Sequence, residues 1–181
     1  AGHVALVTGA GKRIGKAVAL ELAAAGANVI VHVNGSLEEG HQTVAEIKAL
    51  GGRARLVQAN QRDTSEIERA CAQAAEPFGP VTILVNNAAI WPHVALEKTT
   101  EEDFAEAFET NLRGPFFWAR FLGVRMKEHG RGCIVNIADV TYDRPRIDCI
   151  PYEMAKAGIV SMTYGLAKAL APRGGKRLRA A

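Results

Sequence analysis

"HVALVTGAGKRIGKAVALELAAAGANVIVHVNGS", residues 3–36, carries the information that sets the architecture. A short apolar run breaks at Gly9, as a strand buried on both faces does. A helical pattern follows, with Ile14, Val18 and Leu22 spaced by four, and Gly26 stands where a helix stops. "NVIVHVN" then reads as a second buried strand. Between the first strand and the helix, Gly9, Gly11 and Gly15 let the backbone approach a bound group closely, and the helix N-terminus favours an anion. Their spacing is not G-x-G-x-x-G, so it is the position inside a strand–helix–strand unit that marks a phosphate loop.

Working outward, the alternation continues. Ser36 and Glu39 have capping-box spacing ahead of a helix through Val44, Ile47 and Leu50. "RARLVQA" is a third strand, and Asp63 with Glu66 opens a helix holding Ile67, Ala70 and Ala74. "VTILVNN" is a fourth strand. Thr100 and Asp103 begin a long helical stretch to about His129, which Gly114 and Pro115 are expected to bend. "GCIVNIA" is the fifth strand, and residues 152 to about 171 form a last helix. Strands and helices in strict alternation predict an α/β fold: a Rossmann-type, doubly wound parallel sheet covered on both faces. Residues 1–172 read as one dinucleotide-binding domain, with 173–181 as an atypical basic tail.

Composition narrows the class. The 181 residues are 48% hydrophobic and 23% charged, with a net charge of +3 that is spread out and indicates no nucleic-acid partner. Cys71, Cys133 and Cys149 are odd in number and lack CxxC spacing, which predicts reduced thiols and neither a disulfide framework nor a zinc site. His3, His32, His41, His93 and His129 have no ligand spacing, so no metal is expected. Met126 and Phe117 read as core or interface. No apolar run reaches the roughly 20 residues needed to cross a membrane, and the expectation is a cytoplasmic protein.

The loop also bears on which nucleotide binds. A site for NAD commonly places an acid at the end of the second strand, on the ribose hydroxyls. Here that strand ends in Asn34, Gly35 and Ser36, while Lys12 and Arg13 put positive charge in the loop itself. A 2′-phosphate suits that charge, so NADPH is expected rather than NADH.

Near the other end, "YEMAK" places Tyr152 and Lys156 one helical turn apart, thirteen and seventeen residues after Asp139. With "TGAGKRIG", "NNAA" at 86–89 and Asn111 in the long helix, these motifs resemble the short-chain dehydrogenase/reductase family from residue 3 to about 172. Within it the sequence is most similar to the pteridine reductases. The wider family usually has Gly at the position of Arg13 and Ser at that of Asp139, whereas pteridine reductases show a K-R-x-G loop and an Asp there. Trp91 matches the aromatic that stacks on their pterin.

The resemblance implies a set of roles. Gly9, Gly11, Lys12, Arg13, Ile14, Gly15, Asn34, Ser36, Asn60, Asn87 and Ala88 would line the cofactor site, with Tyr152 and Lys156 reaching the nicotinamide ribose. Asn60 stands where the family has an Asp on the adenine. Tyr152 would donate a proton, its pKa lowered by Lys156, and Asn111 would hold water feeding Lys156. Asp139, Trp91 and Tyr152 would meet the substrate. An ionised Asp139 cannot polarise a ketone as a hydroxyl does, but it accepts hydrogen bonds from an aminopyrimidine, so a small-molecule substrate with a pterin-type C=N bond is the first reading. On that reading the rate is expected to rise toward acidic pH. A carbonyl reductase acting on a 3-oxoacyl or sugar ketone is the alternative, and a catalytically silent nucleotide-binding remnant is a third.

Two expectations concern the periphery. The family pairs its long fourth helix and last helix with their copies, so a homodimer or homotetramer is expected through residues 100–129 and 152–171, burying Phe108, Leu112, Phe116, Met162 and Leu166. Relatives continue past the last helix with a strand and a Pro-Gly loop. "RGGKRLRAA" has the character of neither, so a C-terminally shortened sheet with an exposed edge at its fifth strand is expected.

Overall fold

The computed structural model describes residues 2–171 and 179–180. Five strands alternate with helices: β1 (Val4–Val7), α1 (Arg13–Ala24), β2 (Asn28–Val33), α2 (Leu37–Ala49), β3 (Ala54–Gln58), α3 (Thr64–Ala75), β4 (Ile83–Asn86), α4 (Glu101–Phe108), α5 (Gly114–Glu128), β5 (Cys133–Asn136) and α6 (Ile150–Leu170). All pairings are parallel, and the sheet order is β3-β2-β1-β4-β5, so the winding reverses between β1 and β4. That reversal opens a crevice at the C-terminal ends of the strands, where doubly wound folds bind ligands.

The sheet buries both faces. Every residue of β1 is buried, and successive side chains feed opposite cores. Val4 and Leu6 join Ile30, Leu84 and Ile134 beneath α3 and α5, where Ile67, Trp118, Leu122 and Met126 pack. Val7 joins Val29, Val31, Val33 and Val85 beneath α1 and α2, with Ala19, Val44 and Ile47. Met126 is therefore core, and Phe117 packs against the same cluster.

Several local expectations change. Ile14 does not join the stripe on α1: it is 63% exposed, while Val18 and Leu22 pack inward. Ser36 starts α2 without a side-chain cap bond, and the Glu39 carboxylate turns to Lys12 at 3.7 Å. Asp63 does cap α3, accepting the Ser65 and Glu66 amides, but Glu66 swings back to the Asn60 amide at 2.8 Å. Thr100 and Asp103 form the reciprocal capping box of α4. The long helix is interrupted by a π-turn over Glu109–Arg113, ahead of Gly114 and Pro115, rather than by a proline kink.

The fifth strand is also not the sheet edge. A two-residue strand, β6 (Arg179–Ala180), pairs parallel to β5, Cys133 with Arg179 and Ile134 with Ala180. A bridge of two residues is made by backbone alone and leaves no periodicity for the sequence to reveal. The rest of the expected basic tail, 173–178 and 181, lies outside the described residues, as does residue 172.

One buried group links the layers. His32 on β2 is 1% exposed and packs edge-on against Trp118 of α5, with ring centroids 4.9 Å apart. Its Nε2–H donates to the Ala59 carbonyl at 3.0 Å, so Nδ1 is the acceptor facing the Gly9 amide at 3.4 Å. Burial holds its pKa down to about 4 from 6.5. The folded state thus resists a proton that the unfolded chain accepts. Stability is full above pH 6.5 and falls as pH drops toward 4, by up to about 3 kcal/mol from this group. Urea unfolding of wild type and His32→Asn across this range should show the wild-type advantage shrinking as pH falls. A constant difference would contradict the assignment.

Candidate active site

The loop that follows β1 is fastened to the end of β4. The Thr8 hydroxyl accepts the Asn87 and Ala88 amides at 2.9 and 3.0 Å, and Asn87 Nδ2 donates to the Thr8 carbonyl at 2.9 Å. Gly9 has φ of +65° and sits so close to the loop after β4 that a Cβ would lie 2.9 Å from Ala88 Cα. A Cβ on Gly15 would collide with the Gly9 carbonyl and approach Asn87 Nδ2 to 2.5 Å. These absent side chains leave a concave backbone surface, and no side chain caps the N-terminus of α1 above it. An anion meets free amides and the positive end of a helix there.

A cleft of about 540 Å³ opens from this surface. Gly9, Gly11, Lys12, Arg13, Ile14, Gly15, Asn34, Ser36, Asn60, Asn87 and Ala88 all line it, as the resemblance implies. Tyr152 and Lys156 are not part of that lining. His32, Gln61 and Arg62 also line it and were not expected to. The donor set suits a phosphorylated nucleotide: glycine backbone at one end and basic side chains beside it.

The cations there differ in freedom. Lys12 shares its charge with Glu39, and Arg62 is gripped by Glu102, Glu106 and Glu109 at 3.0, 3.6 and 2.8 Å. Arg13 makes no ion pair among the described residues, and its backbone has φ of +52°. A left-handed conformation costs a residue with a Cβ roughly 1–2 kcal/mol, which explains why glycine is the usual occupant of such a turn.

At the end of β5, the proton-bearing group is assembled. The Tyr152 hydroxyl donates to Asp139 Oδ2 at 2.7 Å, and Lys156 Nζ donates to the Ile137 carbonyl at 2.6 Å. Lys156 also lies 5.7 Å from the Tyr152 ring centroid. Burial would raise Asp139, but the Thr141 amide and the Tyr152 hydroxyl more than offset it and hold the carboxyl below 3.8. Tyr152 moves the other way. Burial and the adjacent carboxylate push its phenol well above 10, so in this arrangement Lys156 does not lower it. Burial in turn lowers Lys156, opposed by Asp139.

Asn111 lies in the π-turn, 1% exposed, with Oδ1 accepting the Ile90 amide at 2.9 Å and Nδ2 buried without a partner. Trp91 stands at the mouth, its ring centroid 6.2 Å from that of Tyr152. Around it gathers a group that no motif announces. His93 pairs with Asp148 at 2.8 Å and packs on Trp91 at 4.4 Å, while Arg146 lies 5.7 Å over the indole. Glu153, next to Tyr152 and only 6% exposed, accepts the Arg146 amide at 2.5 Å and the Cys149 thiol at 3.3 Å. Two short stretches, 91–93 and 146–153, supply this group, and they meet through His93–Asp148 and Arg146–Trp91 because the segments after β4 and β5 converge.

The profile of the short chain dehydrogenase family matches residues 3–178. An uncharacterized oxidoreductase of Thermotoga maritima is 38% identical over 92% of this chain and 65% of its own length. A 3-oxoacyl-[acyl-carrier-protein] reductase of Synechocystis is 38% identical over 95% of this chain and 70% of its own. The crystal structure of a blue fluorescent protein from a metagenomic library, in complex with NADPH, superposes with a TM-score of 0.88 at 35% identity, covering 93% of this chain and 69% of that one. The chain thus spans about two thirds of the length of these relatives. Among the described residues no helix is long and apolar enough to cross a membrane.

The coupling of Tyr152 to Asp139 has a direct readout. In Asp139→Ala the phenol keeps its burial but loses the carboxylate, so it should ionise at lower pH than in wild type. Ultraviolet difference titration, with Tyr152→Phe as the blank, checks this. An unchanged midpoint would contradict the coupling.

Proposed function

Because the chain belongs to the short chain dehydrogenase family, we propose that it is an NADPH-dependent reductase of a carbonyl substrate of the 3-oxoacyl type. The observation that carries this reading is the protonated Tyr152 hydroxyl, held beside Lys156 at the same sheet edge as the glycine cradle. The Synechocystis relative supports the carbonyl class and the NADPH complex supports the cofactor. The glycine backbone would take the pyrophosphate, and Arg13, with Lys12, a 2′-phosphate. Bound there, the cofactor supplies a hydride.

The chain's own groups do the rest. Tyr152 gives its proton to the substrate oxygen by turning its O–H away from Asp139. Lys156 restrains the phenol from beneath, and Asn111 anchors the turn behind it. Asp139 stays ionised through neutral pH, so it orients the hydroxyl but does not itself carry the proton. Contrary to the rise toward acid expected for a carboxyl that carries the proton, no gain from Asp139 protonation should appear between pH 5 and 7.

A second reading, dihydropterin reduction, is favoured by the carboxylate itself. Asp139 can accept from the amino group of a pterin, and Trp91 offers a ring to stack on. Consumption of NADPH with a 3-oxoacyl thioester and with a dihydropterin separates the two. Turnover of the dihydropterin alone would overturn the carbonyl reading, and cofactor binding with neither turnover would leave only a nucleotide-binding role. Asp139→Ser should raise ketone turnover by supplying a hydroxyl, and Tyr152→Phe should cost about 10²–10⁴ with either substrate.

Assembly is proposed as at least a dimer through α4, α5 and α6. Phe104 and Phe116 are 41% and 42% exposed there, whereas Leu112 is already packed against Gly158 and Leu166 against the core. A monomer mass in light scattering at micromolar concentration would contradict it.

Cofactor choice is the sharpest test. NADPH should bind at least about tenfold tighter than NADH, a difference of about 1.4 kcal/mol. Arg13→Glu should reverse the order by calorimetry. Arg13→Gly should erase most of the preference while raising thermal stability, because it removes both the charge and the left-handed strain. Equal affinities in wild type would refute the assignment.

A further inference from the structure

Gln61 is the buried polar residue of the cleft that no motif explains. It follows β3 by three residues, is 5% exposed, and lines the cleft beside Asn60. Its side-chain amide reaches two other elements at once. Nε2 donates to the Thr110 carbonyl at 2.6 Å and to the Ala88 carbonyl at 3.1 Å. A long polar side chain is buried at a cost unless its hydrogen bonds repay it; here both N–H groups are used, while Oε1 is buried without a partner, so the two donor bonds to Thr110 and Ala88 are what hold the side chain in place.

The partners matter more than the number of bonds. Thr110 lies within the π-turn, where the helical ladder is broken, and it immediately precedes Asn111. Ala88 belongs to the loop whose Ile90 amide is the hydrogen-bond partner of Asn111. Gln61 therefore ties together the two segments that Asn111 also joins, one residue earlier in the turn and two residues earlier in the loop. The first residue of α5 presses on it from behind: a Cβ on Gly114 would lie 2.8 Å from the Gln61 carbonyl oxygen and 3.0 Å from its Cβ and Cγ. Arg113 donates to the Arg62 carbonyl at 2.6 Å and to Thr64 at 2.8 Å, so both ends of the π-turn are held by the segment after β3.

We propose that Gln61 is a positioning residue for Asn111, fixing the π-turn and the loop after β4 in one register. Although it lines the nucleotide end of the cleft, its two N–H donors are engaged by Thr110 and Ala88, so its effect on the reacting end would pass through that turn. The inference rests on the reading of Asn111 as part of the active site. It adds that the turn's geometry is set from the adenine side of the cleft, by a side chain next to Asn60.

The test separates positioning from simple stability and does not depend on a known substrate. Gln61→Leu keeps the volume and removes both donors. Gln61→Met is a second variant should the first fail to fold, and Asn111→Ala is the reference. Hydrogen exchange of the amides at 88–90 and 110–113 reads the register directly. Both Gln61 variants should exchange faster there, approaching the rate in Asn111→Ala, while β1 and β2 stay protected as in wild type. Where turnover is measurable, kcat should fall about tenfold to a hundredfold, the scale of a misplacement near 1 Å, with the NADPH dissociation constant within about threefold of wild type. Unchanged exchange at 88–90 and 110–113 overturns the proposal. So does equal acceleration across the whole sheet, or a loss confined to NADPH affinity. If exchange changes as expected but Asn111→Ala itself leaves turnover intact, the positioning holds and the catalytic reading of Asn111 is what fails.

Discussion

The fastening of β1 to β4 is the constraint on which the rest of the site depends. At Thr8 one hydroxyl uses its whole capacity: it accepts the Asn87 and Ala88 amides and faces the Val85 carbonyl at 3.4 Å. Asn87 closes the join by donating to the Thr8 and Gly9 carbonyls at 2.9 and 3.3 Å. The two strands are neighbours in the sheet but belong to halves wound in opposite directions, so the join sits where the crevice opens. Gly9 and Gly15 are consequences of it. The backbone comes too close to Ala88, to Asn87 and to itself for a side chain at either position, and the same closeness leaves amides facing the cleft. Local stability and anion binding thus arise from one geometry.

The proton-donating end shows a different balance. A tyrosine beside a lysine is disposed to ionise, but Asp139 reverses that disposition by accepting its hydrogen bond, and burial adds to it. The result is a phenol that keeps its proton until something replaces the carboxylate as acceptor. A ketone oxygen competes with an ionised acceptor at a disadvantage, whereas an aminopyrimidine can occupy the carboxylate with its own N–H and leave the hydroxyl free. On the proposed reading, the same hydrogen bond would weigh on which substrates are turned over. The kinship with a 3-oxoacyl reductase and the chemistry of Asp139 pull on different sides of that choice.

The alternation of strands and helices, the doubly wound parallel sheet and the glycine turn after β1 were legible in the sequence because they follow from periodicity and from glycines at element ends, whereas the other residues of the cleft were reached only through the resemblance to the family. What was not legible depends on contacts between segments distant in the chain. His32 sits among valines with no ligand spacing, so its roles against Gly9, Ala59 and Trp118 emerge only when β2 is laid over α5. Gln61 gave no signal, because three residues past the end of β3 a polar residue reads as ordinary loop. Glu39 could serve Ser36 or Lys12, and local spacing cannot tell which. The direction of the Tyr152 shift was misread for a related reason: the helix places Lys156 near the ring, but only the tertiary fold puts Asp139 nearer still to the hydroxyl.

The departures from local preference have a common address. Arg13 holds a left-handed backbone just after β1, Gln61 is a buried amide just after β3, and Asp139 is a carboxylate against a phenol just after β5. Each breaks a rule that the neighbouring helices and strands obey, and each stands at the C-terminal edge of the sheet. Strain of this kind persists only where surrounding structure over-determines the conformation. The fastened loop supplies that at Arg13, the π-turn and Gly114 at Gln61, and the Thr141 amide at Asp139. Pairing of the neighbouring cations has the complementary effect: with Lys12 engaged by Glu39 and Arg62 by three glutamates, the unpaired charge at the cleft is concentrated on the one arginine whose backbone is strained to present it.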